Sequence, residues 1–374
     1  MSANRRWEPP PEGIAARLGL GEFRQRAPWW GADLQTLRDS LRQPTLQPEH
    51  GEPFELPIGG GDRLLALLDR PATAPRALVL LTPGLGGCSE GQGVGRLALS
   101  LQGAGLAVVR LNLRGAGRGR PLARGTYAAQ VNRDLAPVLV WARQLASRLG
   151  PSPSRPLPLL GAGISMGGTL LLNAVLDPEL RPQSLATAQP VLDGLVTISS
   201  PLDLIACSRF IDRPRNRLYI NWLLRGLRRQ TLADPHGVTE QERSALAHVR
   251  TIRQFDAAIT APRWGYDSVE HYYAEASPLR RLTEELEATA AMGSEAGADA
   301  GRLPPTLVIH ADDDPWVPAA PARALEQAAT ARPEGPLQVV LTRGGGHNGF
   351  HAPGGCWSDR LATRWLEHLA LGDA

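Results

Sequence analysis

Short apolar runs punctuate the chain, each closed by glycine, proline or polar residues. ALVLLT (77–82) stops at Pro83-Gly84, LAVVRLN (106–112) leads into a glycine-rich loop, and LPLLGAGI (157–164) runs straight into Ser165. LDGLVTIS (192–199), TLVIHA (306–311) and LQVVLT (337–342) repeat the pattern. Continuous apolarity over so short a length is what a strand covered on both faces requires, so these segments predict buried parallel strands. Between them lie stretches at helical spacing: 93–102, 126–149, 169–176, 321–329 and 357–371. In 126–149, Val131, Leu135, Val138, Ala142 and Leu145 share one side, and Pro137 predicts a kink or a restart. Ahead of the first buried run, PFELPI (53–58) and RLLALLD (63–69) flank Gly59-Gly60-Gly61-Asp62, which predicts a hairpin.

Strands alternating with helices imply an α/β core with a doubly wound, mostly parallel sheet, expected over residues 51–200 and 304–374. The rhythm breaks over 201–282, where NRLYINWLLRGLRR (216–229) has helical spacing. This insertion is expected to form a helical cap over the carboxyl ends of the strands, where such sheets bind ligands. Residues 283–303, rich in Ala, Glu and Gly, read as a flexible low-complexity surface loop or a poorly packed helix. Residues 1–50, with Trp29-Trp30, read as an arm packed on the core.

Composition narrows the function classes. The chain of 374 residues, 43% hydrophobic, suffices for one large α/β unit with an insertion. Lys is absent, so Arg supplies all 40 basic residues, yet the net charge is only +3. The arginines interleave with acids and form no nucleic-acid-binding stripe. Cys88, Cys207 and Cys356 make neither a disulfide framework nor a zinc pattern, which points to a reducing compartment. His271 and the run Asp312–Asp314 lack metal spacing, and neither a metal nor another cofactor is expected. The N-terminal stretch lacks a signal-peptide core, and no segment reaches the ~18 apolar residues of a membrane span. A soluble cytoplasmic protein with no evident protein partner is the expectation. Residues 209–229 mix Phe210, Leu218 and Trp222 with arginines, which leaves weak peripheral membrane contact open beside the favoured reading, a cap helix with its apolar face inward.

Candidate chemistry begins at GAGISMGG (161–168), where Gly163-Ile164-Ser165-Met166-Gly167 lies between an apolar strand and an apolar helix. A nucleophilic serine needs this sharp turn to push its hydroxyl out of the sheet, and the two glycines remove the clashes the turn would cause. The alternative is a glycine-rich turn whose serine caps the helix. LTPGLGG (81–87) can aim a backbone N–H at Ser165, and the amides of Leu85 and Met166 are the candidate oxyanion-hole donors. In LVIHADDDPWVP (307–318), Asp314 is the first candidate for the carboxylate that orients a histidine, and Asp313 the second. In LTRGGGHNGFH (341–351), His347 follows a strand and three glycines and is the candidate base, while His351 reads as a surface or helix-entry residue. The order Ser…Asp…His, more than any one motif, carries the expectation of a serine hydrolase.

On these residues the chain resembles the YheT-like family of α/β-hydrolases, the group of abhydrolase-domain esterases and medium-chain ester synthases. PWWGADLQT (28–36) is similar to the family's N-terminal signature ending in Gln-Thr, and LNLRGAG (111–117) to its Asn-x-Arg-Gly turn. GISMGG, ADDDP and GGGHNGF resemble its elbow, acid and histidine motifs, and 252–278 resembles its cap segment. The resemblance covers most of the chain. It implies an α/β-hydrolase fold with a helical cap, a triad of Ser165, Asp314 and His347, and short- to medium-chain carboxylic esters or lipid-like molecules as substrates. Acyl transfer to an alcohol is an alternative, as is a binding protein of weak activity. Pro83 stands where the family usually has His, which alters the oxyanion loop. Trp222, Trp264 and Tyr272 are expected to line a hydrophobic acyl pocket.

Overall fold

The computed structural model describes residues 13–42, 51–152, 154–180, 190–291, 303–332 and 335–372. Its centre is an eight-stranded sheet in the order β1-β2-β4-β3-β5-β6-β7-β8. The strands are β1 (Glu52–Gly59), β2 (Asp62–Asp69), β3 (Leu78–Thr82), β4 (Ala107–Leu111), β5 (Leu159–Ile164), β6 (Gly194–Ile198), β7 (Thr306–Ala311) and β8 (Leu337–Thr342). From β4 to β8 every pairing is parallel, and the β1–β2 hairpin adds an antiparallel edge through β2 and β4. Gly59 pairs with Asp62, so Gly60 and Gly61 make the turn at φ +61° and +83°, a region glycine enters without a Cβ penalty.

Period-two alternation sends the strand side chains into two cores. Leu78 and Leu80 join Leu135, Val138 and Leu170 on one face, while Val79 and Leu81 join Leu97, Leu101 and Leu361 on the other. Helices Asn132–Leu149, Met166–Val175 and Ala320–Thr330 thus cover one face, and Gln92–Gly103 and Trp357–Leu371 the other. Among the described residues no helix is long and apolar enough to cross a membrane.

One expectation needs correction and two are narrowed. The helix expected from residue 126 starts at Asn132, because 126–131 is held outside it by tertiary bonds: Trp264 donates to the Thr126 carbonyl, and the Ala129 N–H donates to the Tyr272 hydroxyl. Pro137 marks no restart; it lies in the second turn of an unbroken helix, where it removes only the bond toward the Arg133 carbonyl. Of the two readings of 283–303, residues 283–291 take the helical one, as the end of helix Leu279–Ala291, which buries Leu282 and Leu286; residues 292–302 lie outside the described ones.

Within the insertion, helices Leu204–Ile211, Arg217–Leu232, Glu240–His248 and Ile252–Phe255 gather around a third cluster that includes Ile211, Ile220, Leu227, Leu246 and Phe255. Helix Arg217–Leu232 buries Ile220, Leu223, Leu224, Leu227 and Thr231, the stripe its spacing demands. The described part of the arm contributes helix Ala32–Leu41, whose Gln35 is fully buried. Residues 1–12 and 43–50 lie outside the described ones.

Candidate active site

β3 has β4 on one side and β5 on the other, so the strand order reverses there, and a crevice opens at the carboxyl ends. Ser165 sits at the end of β5 with φ +53° and ψ −125°. Its N–H donates to the Ile198 carbonyl at 2.7 Å, and helix Met166–Val175 starts at the next residue. A Cβ on Gly163 would strike the Gly168 backbone, and one on Gly167 would strike the carbonyls of Thr82 and Pro83. The Ser165 side chain makes no capping bond to its helix.

Instead, Ser165 Oγ lies 2.9 Å from His347 Nε2, and His347 Nδ1 lies 2.8 Å from Asp314 Oδ2. Asp314 is buried, which alone would raise its carboxyl, but its electrostatic interaction and hydrogen bond with the His347 ring hold it below the ordinary carboxylate value. An ionised carboxylate only accepts, so Nδ1 carries the proton and Nε2 is free to accept from the serine hydroxyl. The other oxygen, Oδ1, accepts from the N–H groups of Trp316 (2.8 Å) and Val317 (2.9 Å), which fixes the carboxylate plane. The Trp316 ring stacks on the imidazole at 4.5 Å between centroids and 25° between planes.

The aspartate run separates by direction. Asp312 accepts from Arg323 at the surface, and Asp313 Oδ1 accepts the Gly346 N–H at 2.8 Å, steadying the loop before His347. Leu85 and Met166 both line the crevice beside Ser165, as does Pro83, and a Cβ on Gly84 would lie 3.0 Å from that of Ser165.

Sequence reasoning missed the arm's part in the site. Thr36 Oγ1 accepts the His347 N–H at 2.8 Å. The Gln35 amide accepts the His351 N–H at 2.6 Å and donates to the carbonyls of His351 and Trp29. The resemblance to a signature ending in Gln-Thr was the available signal, but it carried no role. Ser199 Oγ accepts the Asn348 N–H at 3.2 Å. Among the described residues, the non-glycine residues with positive φ are Ser165, Ser199, Asn348 and Phe350, all in these loops, where strained backbone is commonly stored. His351 is not at the surface: the arm covers it, it lies 3.6 Å from Asp39, and burial pushes its pKa down to about 3.

Above Ser165 opens a largely apolar cavity of about 740 Å³, within the range of small-molecule sites. Tyr272 and Trp222 line it, Tyr272 fully buried and Trp222 60% exposed at its mouth. Trp264 does not. Its indole N–H finds an acceptor in the Thr126 carbonyl, the Arg133 guanidinium sits 3.9 Å over its ring, and it faces a separate cleft that includes Arg114 and Asp234.

The family described as serine aminopeptidase, S33, matches residues 73–351. The chain is 30% identical over 277 residues to mouse phospholipase ABHD3, covering 74% of this chain and 58% of that protein, so it spans less than two thirds of that relative's length. It is 30% identical over 329 residues to the putative esterase YheT of Escherichia coli (strain K12), covering 85% of this chain and 83% of that one. In structure it is similar to a thermophilic esterase of the planctomycete Thermogutta terrifontis (TM-score 0.50, 17% identity, covering 86% of this chain and 94% of that chain), a likeness of fold alone. The chain belongs to the serine aminopeptidase S33 family and is a serine-hydrolase-type protein of α/β-hydrolase fold, related to the YheT- and ABHD-type proteins.

Proposed function

We propose that the protein is a serine esterase of the YheT-like branch that cleaves carboxylic esters with short- to medium-chain acyl groups or lipid-like character. The observation that carries the reading is the chain of hydrogen bonds from Ser165 through His347 to Asp314 at the floor of an apolar cavity. Ser165 Oγ attacks the ester carbonyl while its proton passes to His347 Nε2, and Asp314 stabilises the imidazolium. The amides of Leu85 and Met166 receive the negative charge that develops on the carbonyl oxygen. Collapse breaks the bond to the alcohol, which leaves with the proton from Nε2. Water, deprotonated by His347, then attacks the acyl-enzyme, and the acid departs with Ser165 restored. The relatives bearing the names phospholipase and putative esterase support an ester substrate. Turnover of p-nitrophenyl esters of increasing chain length by the protein, and none by Ser165→Ala, is the expected result; equal rates in the two would refute the reading.

A second observation favours contact with a lipid surface. Leu218 (82% exposed) and Trp222 stand one helical turn apart, line the cavity mouth, and have the exposed Arg217, Arg225 and Arg229 on the same helix. An apolar rim set among cations suits an anionic membrane face.

A further inference from the structure

Asp256 is a partly buried acid that the chemistry above does not use, and it lines the same cavity as Ser165. It opens a π-turn, Asp256–Thr260, inserted between two short α-helical pieces. Such turns widen a helix by one residue and concentrate at functional sites. One carboxylate oxygen accepts from the Thr260 hydroxyl at 2.7 Å, and the other from the Tyr273 hydroxyl at 2.7 Å. Both donors are neutral, and among the described residues no Arg or His forms an ion pair with Asp256. A neutral amide could engage the same two hydroxyls, whereas burying an ion is far more costly unless a counter-charge arrives. Tyr219, Trp222, Tyr272, Tyr273 and Trp316 are aromatic side chains that line the same cavity.

We propose that Asp256 forms a subsite for a cationic group of the substrate, an alkylammonium held by the carboxylate within the cavity's aromatic wall. The proposal rests on the esterase reading for its substrate class. Quaternary ammonium groups are held by aromatic faces and carboxylates in this way, and each Asp256 oxygen has a lone pair beyond the one its hydroxyl engages. Burial, aided by repulsion from Asp212, pushes the Asp256 pKa up to about 6, so the group is ionised at neutral pH and discharged by mild acid. The other titratable groups in its field are Tyr127, Tyr272, Tyr273 and Cys207, all pushed upward by burial and neutral throughout that range. None of them supplies a positive charge, and Arg215, which lines the same cavity, is paired with Asp33.

The test compares kcat/KM for an acylcholine with that for the 3,3-dimethylbutyl ester of the same acyl chain, which replaces the cationic nitrogen by carbon. The acylcholine is expected to be preferred at pH 7.5, and Asp256→Asn is expected to cut the preference about tenfold, the size of a charge-assisted contact. In the unsubstituted protein the preference should also fall between pH 7.5 and pH 5. Both esters use the same His347, so its own titration cancels from the ratio. A preference that is equal in the two proteins, or independent of pH, overturns the proposal. Phenyltrimethylammonium titrated calorimetrically into Ser165→Ala gives a readout free of turnover: about tenfold weaker binding on adding Asp256→Asn supports the subsite, and equal affinity overturns it. Loss of neutral-ester turnover with retained ammonium binding would count against the esterase reading and leave the subsite standing.

Discussion

At Ser165 the backbone occupies the left-handed region, which costs a non-glycine residue about 1–3 kcal/mol. The strain puts Oγ within reach of His347 rather than of the helix amides, the geometry that the proposed nucleophile needs and a helix cap does not. The motif alone left that choice open, since Gly-x-Ser-x-Gly is compatible with both, and only the order Ser…Asp…His tipped the sequence reading toward a nucleophile. The three aspartates were ambiguous for a related reason: adjacent carboxylates have one sequence signature, and only the turn after β7 decides which faces His347. Asp314→Asn is expected to lower kcat about 10³–10⁴-fold, because an amide opposite Nδ1 favours the wrong imidazole tautomer. Asp313→Asn should cost about tenfold or less, since it weakens one bond to the Gly346 N–H. Steady-state kinetics of the two variants check this, and equal losses would reverse the assignment.

Elements add what single residues cannot. The β3 turn and the helix after Ser165 approach so closely that Gly167→Ala must displace backbone carbonyls, which do not yield as a flexible side chain would. A loss at or above the upper end of about 1–3 kcal/mol is expected in chemical unfolding. Helix Ala32–Leu41 braces the histidine loop through Gln35 and Thr36, a long-range contact invisible to local periodicity. Thr36→Val should lower kcat several-fold with little change in KM; an unchanged kcat would remove the arm from the site's support. His351, covered by that helix, ties arm docking to pH. Its folded pKa of about 3 lies below the ~6.5 of an unfolded imidazole, so as pH falls below about 6.5 protons bind the unfolded chain first. Stability is therefore lost between about pH 6.5 and 3, up to about 2 kcal/mol by pH 5. Urea unfolding at pH 7.5 and pH 5 should show a smaller loss in His351→Gln than in the parent.

For the whole molecule, the sheet was legible because a buried parallel strand writes itself as an unbroken apolar run, and the observed β3 to β8 fall on the six runs read from sequence. The cap was legible as helix but not in its facing. Trp222 and Trp264 look alike in sequence, yet one rims the cavity and the other bonds Thr126, because cap orientation is set by tertiary packing. The same orientation puts Leu218 and Trp222 at the outer rim, and co-sedimentation with anionic vesicles is expected at low salt, weakened by salt and by Leu218→Ser with Trp222→Ser. No sedimentation at low salt would remove the lipid surface as a partner. The most direct measurement is covalent labelling of the intact protein with a fluorophosphonate, with the modified peptide located by mass spectrometry. Labelling at Ser165, lost in Ser165→Ala and strongly slowed in His347→Ala, is the expected result. Folded protein that takes no label, or takes it at another residue, would contradict the assignment of Ser165 as an activated nucleophile.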